Sequence, residues 1–426
     1  MSIQASIHEV FRTKISGEYD VIVGGAGPAG VAAAVSAARA GARVLLIEAN
    51  GCLGGIWTAG LLSWVIDADK PGIMKEIRND LEKMGALGEK RRSARNWTYD
   101  PEIMKLLLER MCVASRVNFQ LHTRIVSVNK CTSRFLNAVI TESRSGREAW
   151  RAQHFIDCTG DGDLAFHAGC SFSTGHPGTN DIQPASMTML VTGVQFAEIE
   201  RFVGGGMQEP KARLSQLIWD LGIDISNKSP VLFPIYDDLF AFIPNHQYNV
   251  FPGDAAALTQ ATVEAREECH AIVKALQKQG GIWEKLRIVA TTEHLGMREG
   301  RRIHGIYTVN LNDMIYGVHH ADAVCRVTMN IDVHNTQKDS YSLSKKNTSS
   351  ILPYDIPLRA LIARDADNLW LAGRCISGDF FSHSSYRVTG NAVATGEAAG
   401  RAAALTVLSG KMTSHINNYQ TCKINE

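Results

Sequence analysis

Residues 21–30 read VIVGGAGPAG. A short apolar run, Val21 to Val23, ends in a turn with glycine at 25, 27 and 30. This spacing predicts a strand handing over to a helix around a pyrophosphate. Gly25 makes the tight turn, Gly27 lets the backbone approach a phosphate, and Gly30 lets the helix pack close to the strand. Pro28 falls in the first helical turn, where its missing N–H removes nothing. The helix is expected over 29–40, mostly alanine, with Gly41 as its stop. A second strand follows in ARVLLIE and ends on Glu48, 23 residues after Gly25. An acid at that strand end accepts ribose hydroxyls. The order predicts a dinucleotide-binding βαβ unit. The plainer alternative is an ordinary βαβ unit with a glycine turn and a surface glutamate.

The next stretch bears on whether the dinucleotide is a nicotinamide that comes and goes or a flavin that stays. Asn50-Gly51-Cys52-Leu53-Gly54-Gly55 adds a second glycine pair, which lets the chain pass close to a large fixed cofactor. A nicotinamide domain would usually continue into its next helix. Here small residues and one aromatic follow, Ile56-Trp57-Thr58-Ala59-Gly60. The pattern tilts toward flavin, against the alternative of a loop with a Gly-Gly bend.

The totals fit this reading. A chain of 426 residues is long for one core, so two domains are expected. It is 45% hydrophobic and 20% charged, which is globular. Lys+Arg is 44 against Asp+Glu 43, a balance that leaves no footprint for nucleic acid or an acidic membrane surface. Nine cysteines without a C-x-x-C pair read as reduced thiols, with no zinc site. The first twenty residues lack an apolar signal core, and the longest apolar stretch, 21–47, is broken by Arg39, Arg43 and glycines. A soluble cytoplasmic protein is expected, with no nucleic-acid or membrane partner; homo-oligomerisation stays open.

Helical periodicity covers 71–115, with Asp100 as an N-cap and Pro101 at the first position. Short alternating runs over 117–157 predict a β-meander returning to a buried strand. That strand runs into Cys158-Thr159-Gly160-Asp161-Gly162-Asp163, a turn that can again face the cofactor. From 171 to about 350 the texture is mixed, with one clear helix over 254–279 capped by Asp254 and an exposed polar loop over 337–350. At 368 a strand and glycine turn, NLWLAGRCISGD, precede a helix rich in alanine and glycine whose start, 389–392, offers unpaired N–H groups. The fold class is α/β: a Rossmann-like cofactor domain with a β-meander, built from 1–170 and 355–426, plus a mixed α+β substrate domain over 171–354.

GGAGPAG with Glu48, LGG at 53–55, DCTGDGD at 157–163, REGRRIHG at 298–305, IDVH at 331–334, and AGRCIS with SYRVTGNAVATGEAAG resemble the FAD-dependent oxidoreductases related to succinate dehydrogenase and fumarate reductase flavoproteins. The resemblance covers both ends of the chain and part of the middle. It implies an extended FAD. Its pyrophosphate would meet Gly25, Gly27, Pro28, Ala29 and Gly30. Its ribose would meet Glu48 and Ala49, and its adenine the segment around Ile125. Its ring would lie under Gly54, Gly55, Ile56 and Thr58. Thr159, Gly160 and Asp161, then Gly373 and Arg374, would line the same site. Gly390, Asn391 and Ala392 would aim N–H groups at the pyrimidine end, where a helix N-terminus stabilises negative charge. Residues 50–63 contain no histidine, the residue that carries covalent FAD in those relatives, so noncovalent FAD is expected. No second G-x-G-x-x-G follows a strand, which leaves oxygen, a quinone or a redox protein as electron acceptor.

His383, His334, Arg298 and Arg387 are candidates for the chemistry. Arg298 and Arg302 would share a face if 298–302 were helical, and arginine suits a carboxylate through two-pronged bonding. The alternative for either is a structural ion pair. His334 and His383 are candidate general bases, since histidine exchanges a proton near neutrality. His383 is favoured because Ser384, Tyr386 and Arg387 run from it straight into the proposed cofactor-facing helix start. Arg387 is the second candidate anion holder. The expected activity is hydride transfer between a small polar organic substrate and FAD, an oxidation or desaturation, with no metal. The rivals are a flavin monooxygenase, a nicotinamide-only dehydrogenase, and a flavin-binding RNA-modification or assembly subunit.

Overall fold

The computed structural model describes residues 7–90, 92–204, 207–337 and 351–410. Cys422 and all but the first residue of the polar loop at 337–350 lie outside them. The first strand is longer than its apolar core implied: Lys14–Gly24, of which only the last four residues are fully buried. The extension comes from tertiary pairing, because the strand runs parallel to Gly146–Asp157 along its whole length. On its other side lie Val44–Ile47 and then Asn118–Gln120, both parallel.

Gly146–Asp157 has two neighbours on its far side. Its first half pairs antiparallel with Leu136–Ser143, which pairs in turn with Arg124–Lys130. Its last residues pair parallel with Leu369–Leu371 from the far end of the chain. The result is one seven-stranded sheet. The meander is therefore shorter than expected. The run at 118–120 joins the parallel sheet instead, since the helix Pro101–Ala114 delivers it beside Val44–Ile47.

Helix Pro28–Arg39 is capped by the Gly27 backbone and stopped at Gly41, which has φ +103°. The C-terminal helix Thr389–Ser409 crosses it at close range. A side chain on Gly396 would overlap the Ala29 carbonyl, and one on Gly400 the Ala33 carbonyl. The alanine and glycine content of both helices, four residues apart on each, is what that approach requires. Gly373 completes the junction, where an added Cβ would stand 3.0 Å from the Ala29 Cβ.

A second hydrophobic core draws on residues between Ala185 and Met297. Its antiparallel sheet has the order Val231–Pro234, Leu239–Ile243, Met189–Thr192, Arg287–Thr291. Helices Gln208–Asp220 and Ala255–Gln279 accompany it. The Asp254 carboxylate accepts the Ala257 N–H at 3.0 Å, a cap worth about 1 kcal/mol. Ile303, Val309, Met314 and Val327 pack instead in the larger core, with Tyr354 and Ile356.

Candidate active site

The first turn builds a crevice. Gly25 sits at φ +87°, and a side chain on Gly30 would overlap its carbonyl. Gly27 differs: nothing lies within 4 Å of where its Cβ would be. The helix that starts there has no side-chain cap, so its positive end opens onto that space. Glu48 is buried and holds the turn. Its Oε2 accepts the Ala26 N–H at 2.6 Å, and its Oε1 accepts the N–H and Nδ2 of Asn50 at 2.8 Å. Ala49 beside it is exposed.

The second glycine pair folds back onto the first. Gly54 donates its N–H to the Ala26 carbonyl at 2.7 Å, and Gly54 and Gly55 both have positive φ. Thr58 is wholly buried and donates its hydroxyl to the Leu53 carbonyl at 2.6 Å, which holds the loop shut. Ile56 packs towards Gly60 and Gly296. Ile125 is a core residue, in reach of Gly24.

The opposite wall is the turn after Gly146–Asp157. The buried Asp157 carboxylate accepts the N–H and hydroxyl of Thr159 and the N–H of Ala165. Burial outweighs those bonds and pushes it up to about 6. Asp161 pairs with Arg374 at 2.8 Å, and the Arg374 Nη2 lies 3.0 Å from where a Gly160 side chain would begin.

At the C-terminal helix start the three expected N–H donors divide. Gly390 donates to the Ile66 carbonyl at 3.2 Å and Ala392 to the Val388 carbonyl at 3.1 Å. Gly390 is a backbone contact point, where a Cβ would overlap the Asp67 carbonyl. Of the three, only the Asn391 N–H meets no acceptor among the described residues. Asn391 Nδ2 and Thr389 Oγ1 are also buried without partners. The expectation that all three backbone groups face a ligand is corrected to one.

Residues 292–300 lie across the crevice from the smaller unit. The Thr292 hydroxyl donates to the Ala59 carbonyl at 2.8 Å, Gly296 sits against Ile56, and Gly300 against the Asp161–Arg374 pair. Just beyond, charged groups gather. Arg298 donates from Nη1 to the Pro184 carbonyl and to Ser186 Oγ, both at 2.8 Å. Arg387 donates to the carbonyls of Arg298 and Asp332 at 2.9 and 2.7 Å. Asp332 Oδ2 lies 3.2 Å from His334 Nε2 and 3.6 Å from Arg387 Nη2. Gln183 ties three segments together: its Oε1 accepts the His334 N–H, and its Nε2 donates to Glu299 and Ser384.

The side chains of Asp332 and His334 are 48% and 26% exposed, so water reaches both. With Arg298 and Arg387 they form a partly exposed charged cluster, the candidate substrate cleft. Burial, reinforced by Arg298, pushes His334 down to about 4, so its ring is neutral. Burial works against the Asp332 carboxylate, but the His334 ring N–H beside it and the Arg387 and Arg298 charges outweigh it and hold it below the usual range. Burial and the Arg387 charge push Arg298 down to about 10.

This geometry separates the candidates. His383 is completely buried in the helix Phe380–Tyr386, and neither ring nitrogen has a well-formed hydrogen bond. Burial, then the charges of Arg302, Arg387 and Arg374, hold its pKa well below the ordinary value. Its side chain is closed to water, while that of His334 is 26% exposed. Segment 298–302 is not helical, so Arg298 and Arg302 share no helix face. Arg302 is buried in a close ion pair with Glu299. Asp332 was quoted only as part of IDVH, and Gln183 and His246 carried no signal in the sequence, since their roles come from contacts between distant segments. Trp57 is core, and Trp64 stacks on Phe233 at 5.0 Å.

The crevice fits an extended dinucleotide on its own terms: an uncapped helix end, an open position at Gly27, and two glycine turns in contact. No group of three or more metal-ligand side chains occurs among the described residues, and no helix there is long and apolar enough to cross a membrane. Known proteins share the fold. A flavin-dependent brominase has a similar structure, with a TM-score of 0.51, 12% identity, and 95% of this chain and 83% of that one covered. The p-nitrophenol 4-monooxygenase of Pseudomonas putida DLL-E4 gives 0.53, with 10% identity, 95% and 84%. A stretch of 42 residues is 62% identical to the thiamine thiazole synthase of Aeropyrum pernix, covering 10% of this chain and 16% of that protein. The profile of the FAD dependent oxidoreductase family matches residues 20–423. The chain belongs to that family, and its cofactor is FAD.

Proposed function

We propose that the protein oxidises a small polar organic substrate in the cleft where Arg298, Arg387, Asp332 and His334 meet. The carrying observation is the His334–Asp332 contact in a cleft that water reaches. His334 is neutral and free to take a proton, and Asp332 lies where it favours the proton once taken. Arg387 fixes Asp332 through the backbone carbonyl as well as the carboxylate. FAD, held noncovalently, supplies a two-electron acceptor.

The cofactor is assigned to Gly25–Gly30, Glu48, Gly54–Thr58, Thr159–Asp161, Gly373–Arg374 and Asn391. The substrate-facing unit is taken as 185–297, narrower than 171–354, because the second core lies there. Oxygen, a quinone or a redox protein reoxidises the flavin. Anaerobic mixing with a panel of hydroxy acids, amines and sugars tests the reading. One class should bleach the bound flavin with no second substrate. Bleaching by none, with substrate-dependent incorporation of oxygen when a reductant is supplied, would establish a monooxygenase instead.

A further inference from the structure

The cleft holds more positive than negative charge. Arg298 and Arg387 face one carboxylate, Asp332, and Lys211 stands within its electrostatic reach. Glu299 and Arg302 neutralise each other, as do Asp161 and Arg374. His334 is neutral, as is His246 beside it. A positive surplus remains, and it attracts an anion.

Arg298 is where the surplus is least satisfied. Its two hydrogen bonds leave from one nitrogen and end on neutral oxygens. Among the described residues, no carboxylate lies within ion-pair distance of it, and its Nε and Nη2 meet no acceptor. That free edge has the shape that binds a carboxylate in two places.

His246 supplies an independent observation. It is 8% exposed, and its Nε2 is buried with no hydrogen-bond partner. Its backbone N–H is fixed by Ser226 Oγ at 2.9 Å, and its ring meets the His334 ring edge-on at 5.1 Å. A buried ring nitrogen without a partner is costly unless a ligand completes it. Ser186 Oγ links Arg298 and His246: it accepts from Arg298 and donates to the carbonyl of Asn245, the residue before His246.

We propose that Arg298 and His246 form a carboxylate subsite, and that the substrate is a short carboxylic acid whose reacting hydroxyl or amine is on the carbon next to the carboxyl. The position of the reacting group follows from the two histidines. A carboxylate on His246 leaves the adjacent carbon beside His334, the proton acceptor one ring away. This inference rests on the cleft and on His334 acting as proposed above.

The test uses the FAD-loaded protein and non-reacting probes, oxalate, propionate and propionamide, followed by flavin absorbance and by calorimetry. Oxalate and propionate should bind, and the amide should bind at least about tenfold more weakly, the loss of one charge-assisted contact. Arg298→Met and His246→Gln should each weaken propionate about tenfold or more, with FAD content unchanged, and Arg298→Lys should recover part of the loss. Glycolate and lactate against glycine and alanine then separate hydroxy from amino acids by bleaching. Equal binding of acid and amide, or variants that keep full propionate affinity, would overturn the subsite alone. Failure of every substrate to bleach bound flavin, with carboxylate binding intact, would overturn the proposed oxidation and leave the subsite standing.

Discussion

Gly55 and Gly27 meet across the crevice: a Cβ on Gly55 would stand 2.9 Å from the Gly27 Cα. Two glycine turns 28 residues apart thus press backbone to backbone at the open end of the first helix. Glycine is required there for different reasons. At Gly55 the chain needs φ +53° and has no room. At Gly27 it has room, which the proposed placement gives to the cofactor.

The contrast gives the first prediction. Gly27→Ala should leave the stability of the FAD-free protein within about 0.5 kcal/mol, since nothing meets the new methyl, and should weaken FAD binding at least about tenfold. Gly30→Ala should instead destabilise the FAD-free protein by about 1–3 kcal/mol or more, because the methyl overlaps the Gly25 carbonyl. Thermal melts and fluorescence titration with FAD separate the two. Equal melting temperatures for both variants would contradict the geometry.

Glu48 holds two turns with one carboxylate. Glu48→Gln replaces an acceptor oxygen by an amide that cannot take both the Ala26 and the Asn50 N–H groups. It should lower stability by about 1–3 kcal/mol and weaken FAD. Denaturant midpoints with and without FAD give both numbers.

His334 should behave as the proton acceptor and show it by pH. Its neutral form is the active one, and it is held at about 4, so kcat/KM should stay level from neutrality downward and fall only as pH drops through about 4. His334→Gln should reduce kcat by about a hundredfold or more with FAD content unchanged. Asp332→Asn should lower kcat by a smaller factor. A pH profile that breaks near 6.5, or a His334→Gln enzyme of normal kcat, would exclude the role.

His154 makes the fold sensitive to acid. It is buried, accepts the Trp370 indole N–H at 3.4 Å, and burial pushes it down to about 4 from 6.5. Below 6.5 the unfolded chain takes up a proton that the folded chain refuses until about 4. Its contribution is present above 6.5 and lost as pH falls through that window, on the order of 3 kcal/mol at most. Asp157 runs the other way: held at about 6, it favours the fold in acid, and that contribution fades as pH rises toward 6. His154→Gln should therefore unfold with a flatter pH dependence between 4 and 6.5 than the parent, read from urea midpoints. An unchanged slope would contradict it.

Local signals in the sequence carried the parts that local physics builds. The glycines at 25, 27 and 30 announce a turn that needs positive φ and close approach, and both are found. Asp100 and Asp254 cap helices because a carboxylate three residues before an N–H is a short-range device. The Arg298–Arg302 expectation failed because basic residues four apart say nothing of helix without periodic apolar partners. Pairing of Arg302 with Glu299, and of the His334 backbone with Gln183, is decided by packing between segments up to 151 residues apart. Gly390 looked like a cofactor donor because helix starts carry free N–H groups. The Ile66 carbonyl takes that group through a contact no local pattern encodes. His246 was invisible for the same reason: what marks it is a buried nitrogen with no partner, a property of the folded state.

The most direct test of the central claim is the visible spectrum of the freshly purified protein, recorded under argon before and after adding lactate, glycolate, alanine or glycine. The account predicts a yellow protein with a stoichiometric flavin spectrum that one of these acids bleaches, and that propionamide leaves unaltered. A folded, colourless protein that takes up no FAD when offered it would contradict the account.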